Sequence, residues 1–338
     1  MRFSCLIDDF LDYMCHNRGR SPRLAEVYRL ALSRLEKFMV GLERNPLTAT
    51  HDDLIAFTGP HLFNLGLRDP LSRRTHISAV RGFFLWARAN KLVAENPALG
   101  VPQPKVGVKI PRTLRLADLE KLMWAPDFSR FTGVRDAAMF AIMAGCGLRV
   151  SGLIGLNESN VVRDTVDGIP RLFLKVMEKG NRERIVPIPE QAALLLQLYM
   201  EHPEIHAIDR LLPDGDKVLF TSIRRSDIHA HEYRGEKRRF NRKTINYLIR
   251  RHGVPAGIEP SLLHAHALRH AYGTELAEDD VPTVTAQRLM GHADPKTTSI
   301  YQQLALRKLT KVADKSNPLA KIKTPVSALL SQIKRGKA

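Results

Sequence analysis

The sequence predicts two domains, an all-α N-terminal domain followed by a mainly α domain with one small β-sheet, an α+β arrangement. Three observations predict this. Apolar residues recur every three or four positions through residues 3–89, the period of helices with one buried face. A stretch rich in proline and glycine, from Asn96 to Arg112, then interrupts that pattern. Beyond it, Leu172, Leu174 and Val176 alternate with Phe173, Lys175 and Met177 and lead into a Lys179-Gly180-Asn181 turn, the signature of a hairpin. A length of 338 residues also exceeds what a single core usually serves.

In the first domain, residues 1–95, the spacing predicts helices over 3–17, 22–41, 50–65 and 71–89. Tyr28, Leu32, Leu35 and Met39 make one apolar stripe, and Ile77, Val80 and Phe84 another. Ser21-Pro22 and Asn45-Pro46 mark helix boundaries. Residues 96–111 form a linker containing Pro97, Gly100, Pro102, Pro104, Gly107 and Pro111. In the second domain, 112–310, helices are predicted over 116–123 and 131–146, then the hairpin with its return strand Arg184-Ile185-Val186-Pro187. Further helices follow over 190–200, 241–252, 261–277, 282–290 and 295–309. A basic tail, 311–338, carries Val326, Leu329, Leu330 and Ile333 at helical spacing.

The charge balance narrows the partner. A formal net charge of +17 implies a polyanion, and nucleic acid is the usual one, since each Lys or Arg set on a phosphate releases counterions. Residues 233–251 hold eight basic side chains opposed by Glu236 alone, which reads as a phosphate-tracking surface. Candidates for contact with DNA are Arg238, Arg239, Arg242 and Lys243 there, and Arg73, Arg74 and Arg81 on the last helix of the first domain. Extended, the linker would reach on the order of 50 Å, enough for two domains to grip opposite sides of a duplex.

Other classes are disfavoured. Asp8 and Asp9 fall where a signal peptide needs apolar residues, and the run Ala137 to Leu148 is too short to span a bilayer. Cys5, Cys15 and Cys146 are odd in number and lack CxxC spacing, so a reducing, cytoplasmic setting is expected, without a disulfide framework or structural zinc. His264, His266 and His270 are poorly spaced for zinc on a helix.

Breaking a phosphodiester without a metal requires cations on the nonbridging oxygens, an acid for the leaving oxygen and a nucleophile. In Gly145-Cys146-Gly147-Leu148-Arg149 an apolar helix ends in glycines and presents a guanidinium, whose fork matches two phosphate oxygens. In His266-Ala267-Leu268-Arg269-His270, helical spacing puts His266, Arg269, His270 and Gly273 on one polar face, with Leu268, Ala271 and Tyr272 opposite. In Gly291-His292-Ala293-Asp294-Pro295, Asp294 reads as an N-cap and Pro295 as the first helical residue, so Tyr301 falls about two turns into a helix.

Taken in order, Arg149 in GCGLRVSGL, Lys179 at a hairpin tip, His266 with Arg269 in HALRH, His292 in LMGH and Tyr301 nine residues later resemble the tyrosine recombinase or phage integrase family, Xer-like or transposon-encoded. The resemblance covers Arg112 to Leu309, and the first segment is similar to that family's helical core-binding (SAM-like) domain. It implies a two-domain clamp on DNA and site-specific recombination through a 3′-phosphotyrosyl intermediate. Arg149, Arg269, His266 and His292 would hold the phosphate, Lys179 would be the acid and Tyr301 the nucleophile, with no metal and no cofactor. It implies double-stranded recombination sites as partner, a homo-oligomer on DNA (a dimer per site, a tetramer in the synapse), no membrane, and a bacterial, nucleoid-associated setting. The tail helix would dock on a neighbouring protomer. An accessory protein or second recombinase stays open, as do integration, chromosome resolution and transposition, a mobile-element role among them. Two other functions stay open as well, strand relaxation of the type IB topoisomerase kind and non-catalytic DNA binding. One position departs from the family: Gly152 stands where an acid is common, so the orientation of Arg149 would fall to another group such as Glu158 or to a partner subunit.

Overall fold

The computed structural model describes residues 2–105, 112–178, 182–223 and 228–291. The chain divides into two compact units, residues 1–109 and 110–338. In the first lie α1 (Phe3–Asp12), α2 (Pro22–Gly41), α3 (His51–Ala56), α4 (Leu62–Asn64) and α5 (Pro70–Ala89). The chain between α3 and α4, Phe57–His61, is a widened π-helical turn containing Pro60, whose missing N–H and bulky ring disturb the ordinary ladder. The caps follow from the sequence. The side chains of Ser21 and Asp69 accept the N–H groups of Leu24 and Ser72, each with a proline at the first helical position. Thr50 and Asp53 form a reciprocal capping box. Phe3 and Phe10 meet Phe83 edge to face at 5.0 and 5.7 Å, and Leu32, Leu35 and Met39 of α2 are fully buried in the same core. Each such side chain contributes about 1.5–3 kcal/mol.

The second unit begins with α6 (Leu116–Trp124), α7 (Phe131–Cys146) and α8 (Val150–Ile154). A three-stranded antiparallel sheet follows in the order β1-β2-β3: β1 (Val161–Val166), β2 (Ile169–Glu178) and β3 (Arg182–Pro187). Then come α9 (Glu190–Met200), α10 (Pro203–His206), α11 (Arg242–Gly253), α12 (Ala265–Glu278) and α13 (Thr283–Met290). The expected helix over 295–309 lies outside the described residues. Strand β1 is one more than the sequence pattern predicts. It pairs Val161 with Leu174 and Val166 with Ile169 across an Asp167-Gly168 turn in which both residues have positive φ.

Helix α7 is the spine of this unit, buried almost all round, and it packs on α9 and α12. Its two charged residues are both interior: Arg135 donates to Asp136 at 2.7 Å and to the Thr221 carbonyl at 3.1 Å, and its guanidinium stacks on Phe240. Asp136 also meets His252 of α11 at 3.0 Å. Removing one member of such a set leaves the others buried without compensation. Asp136→Ala is therefore expected to lower unfolding free energy by about 3–5 kcal/mol, to be measured by denaturant unfolding. A loss under about 1 kcal/mol, the range of an exposed pair, would contradict this account.

Candidate active site

Helix α7 ends at Gly147, which adopts the left-handed conformation (φ 59°) that glycine accepts without strain. A Cβ there would also lie 2.3 Å from the ring of Tyr272 on α12, so glycine is what lets the two helices close up. The chain then turns through Leu148, and Arg149 sits half-buried at the N-cap of α8. From α12, Arg269 is 3% exposed and donates to the Gly147 carbonyl and to the Met290 carbonyl at the end of α13. Arg149 donates to the Gly291 carbonyl at 3.1 Å. The two arginines that stand 120 positions apart are thus anchored to adjoining stretches of backbone.

His266, one turn before Arg269, is exposed. Partial desolvation lowers its proton affinity, and His264 with the charges of Arg269, Arg149 and Arg242 lowers it further, which favours the neutral imidazole. The structure therefore brings Arg149, His266 and Arg269 together. The division of α12 into two clean faces does not hold, because Ala267, Leu268, Arg269, Ala271 and Gly273 are all buried. Burial of Arg269 itself explains why the one long cation of α12 spends N–H groups on carbonyls.

Lys179, His292 and Tyr301 lie outside the described residues. By sequence, Lys179 belongs to the three residues joining β2 to β3, and His292 follows Gly291, the residue that caps α13 in the left-handed conformation.

His270 stacks on His266 at 6.0 Å, and burial, with help from His266 and His264, pushes its pKa down to about 4. As the pH falls from 6.5 toward 4, the unfolded chain gains this proton before the folded one does, so stability declines across that window. Denaturant midpoints should fall over this range, and more shallowly in His270→Gln; identical slopes for the two proteins would refute the assignment.

One functional candidate escaped the sequence reading. Arg184 of β3 lies opposite Val176, on the strand face shared with the buried Val186, and donates to the Leu289 carbonyl at 2.6 Å. The signal was present, since a cation in phase with buried valines has to be accounted for.

Residues 112–307 match the phage integrase family, more than half of the chain. The chain belongs to that family. It is 33% identical to the tyrosine recombinase XerD of Pseudomonas putida over 315 residues, covering 93% of this chain and 97% of that protein. Its fold is shared with the XerH site-specific recombinase in a post-cleavage complex with palindromic difH substrate (TM-score 0.71, 15% identity, 92% and 95% of the two chains). It is shared also with a lambda integrase(75-356) dimer bound to a COC′ core site (TM-score 0.63, 16% identity, 89% and 95%). This phage integrase family member is a tyrosine recombinase, an enzyme of site-specific DNA recombination.

Two expectations about this recombinase need correction. Glu158 cannot take over from the acid missing at position 152, because its carboxylate is held by the buried Arg210 at 2.5 Å and by Lys217 at 3.7 Å. Gly152 itself is closely covered: a Cβ there would lie 3.2 Å from Val176. Arg239 is turned inward rather than toward a duplex, donating to the carbonyls of Ile154 and Leu156, to Asn157 and to Glu236. The charge run around it made it look like a surface residue.

The other basic candidates differ in kind. Arg74, Arg242 and Lys243 are exposed. Arg238 is half-buried with its guanidinium 4.0 Å from the Tyr233 ring centre, Arg73 lies over Phe63 at 5.7 Å, and Arg81 donates to the Val101 carbonyl. Among the described residues no group of three or more His, Cys, Asp or Glu could hold a metal ion, and no helix is long and apolar enough to cross a membrane.

Proposed function

We propose that the recombinase cleaves each strand by attack of the Tyr301 phenolic oxygen on the scissile phosphorus. The phenol releases its proton to solvent, the bond to the 5′ oxygen breaks, Lys179 gives that oxygen a proton, and a 3′-phosphotyrosyl link and a free 5′ hydroxyl result. Arg149 and Arg269 neutralise the nonbridging oxygens, with His266 and His292 adding hydrogen bonds. Because the new ester keeps the energy of the broken bond, a hydroxyl from a partner strand can reverse the step without ATP. The observation that carries this reading is the common anchoring of Arg149 and Arg269 on the backbone just before His292, with His266 one turn from Arg269 on α12. A nicked suicide substrate, whose short 5′ fragment diffuses away after cleavage, tests it: protein-linked DNA should accumulate, and peptide mapping should find the link at Tyr301. A link at another residue would overturn the assignment.

The same reading assigns residues 1–95 as the core-binding domain, 96–111 as the linker, 112–310 as the catalytic domain and 311–338 as the exchanged tail. The substrate is a duplex recombination site, bound by a dimer and synapsed as a tetramer, in the cytoplasm at the bacterial nucleoid. Arg73, Arg74, Arg81, Arg238, Arg242 and Lys243 supply the phosphate contacts. Arg74, Arg242 and Lys243 do so most directly because they are exposed. Deleting residues 320–338 is expected to weaken assembly of paired sites more than binding to a single site, as measured by gel shift at matched protein concentrations. Equal losses in both would refute tail exchange.

A further inference from the structure

Three arginines from three separate elements converge on the end of α13. Arg184 of β3 donates to Leu289, Arg269 of α12 to Met290 and Arg149 at the start of α8 to Gly291, so three successive carbonyls each accept from a different guanidinium. Carbonyls in the last turn of a helix lack partners within it and carry the negative end of its dipole, which makes this a natural anchor for fixed cations. Two of the three arginines belong to the phosphate grip already described. Arg184 does not, yet it lies in the same frame: burial lowers its proton affinity, and its charge is felt by both Cys146 at the end of α7 and Tyr272 of α12.

The strand that carries Arg184 is at the end of the sheet order, hydrogen-bonded to β2. Pairing with β2 fixes the hairpin's internal register, but it does not fix the hairpin against the helices. Burial of Leu174, Val176 and Val186 in the core shared with the helices does that broadly, and the bond from Arg184 to Leu289, across 105 positions of sequence, ties it to the end of α13 in particular. The same hairpin's connection holds Lys179.

We propose that Arg184 is a positioning residue for strand cleavage. It ties the β2–β3 hairpin, and with it the acid Lys179, to the helix end on which Arg149 and Arg269 are anchored. Acid and phosphate grip thereby keep one frame of reference, and this rests on Lys179 acting as the acid.

The test compares two suicide substrates, one with the natural 5′-bridging oxygen and one with a 5′-bridging sulfur at the scissile phosphate. With oxygen, the leaving group needs a proton. With sulfur, the P–S bond breaks with its electron pair on sulfur, and the thiolate leaves without help from an acid. Arg184→Met is expected to bind the duplex site normally, to cleave the oxygen substrate about 100-fold more slowly and to cleave the sulfur substrate at the rate of the unsubstituted enzyme. Arg184→Lys, which keeps a donor for the carbonyl, should recover part of the oxygen rate. Slow cleavage of both substrates by Arg184→Met, or full activity on both, overturns the proposal. Lys179→Ala separates the two levels. If sulfur does not rescue it, the acid assignment falls and the proposal with it; if sulfur rescues Lys179→Ala but not Arg184→Met, the proposal alone falls. Should Arg184→Met lose site binding, Arg184→Gln is read in the same comparison against the same outcomes.

Discussion

Tyr301→Phe is expected to abolish protein-linked DNA on a nicked suicide substrate while leaving binding to the duplex site unchanged. The substitution removes one oxygen and keeps the ring, so packing around the side chain is nearly conserved and the loss falls on chemistry. Removing a covalent nucleophile typically costs on the order of 10⁴- to 10⁶-fold. A second tyrosine stands close to the arginines and makes the result informative. The charges of Arg184 and Arg269 act on Tyr272, but burial, reinforced by Cys146, pushes its phenol up to about 12, and its ring packs where a Cβ on Gly147 would sit. A buried phenol that resists ionisation is a poor substitute, so no residual adduct at Tyr272 is expected. Quantifying the adduct by denaturing gel, with mapping of any residual band, checks both points. Undiminished adduct in Tyr301→Phe would remove the basis of the mechanism.

How far the sequence reveals this enzyme differs from element to element. Helices α2 and α5 were legible because each starts with a capping residue followed by proline and carries a full apolar stripe. Strand β1 was not, although its Asp167-Gly168 turn is a strong hairpin signal. Residues Arg163 to Val166 are exposed, so they show no alternation between buried and exposed positions to read. At the site, Arg149 and Arg269 could be picked out by motif order, but their anchoring on the end of α13 could not, because backbone carbonyls leave no trace in side-chain chemistry. Arg239 shows the converse error. A run of like charge suggests a solvated or DNA-facing surface, while here the chain folds so that one member of the run braces Ile154, Leu156 and Asn157. Composition records how many cations there are; only packing decides which of them face out.

Arg269→Lys is expected to fold and to lose cleavage by about 10²- to 10³-fold, the cost of removing one preorganised donor to developing charge. Arg269 serves two kinds of partner at once. Part of its fork is spent on the carbonyls of Gly147 and Met290, which lock the end of α7 to the end of α13. In the proposed mechanism the same guanidinium also faces the phosphate. A lysine ammonium can satisfy one buried carbonyl but lacks the planar fork needed to hold backbone and phosphate together. Arg269→Ala goes further, because it strands two carbonyls in a 3%-exposed site, at about 1–3 kcal/mol each. It should therefore lose stability as well as cleavage. Measuring cleavage rate and denaturant unfolding on both variants separates the roles. A lysine variant that cleaves normally would mean that the guanidinium serves the fold alone, and the phosphate grip would have to be rebuilt around Arg149.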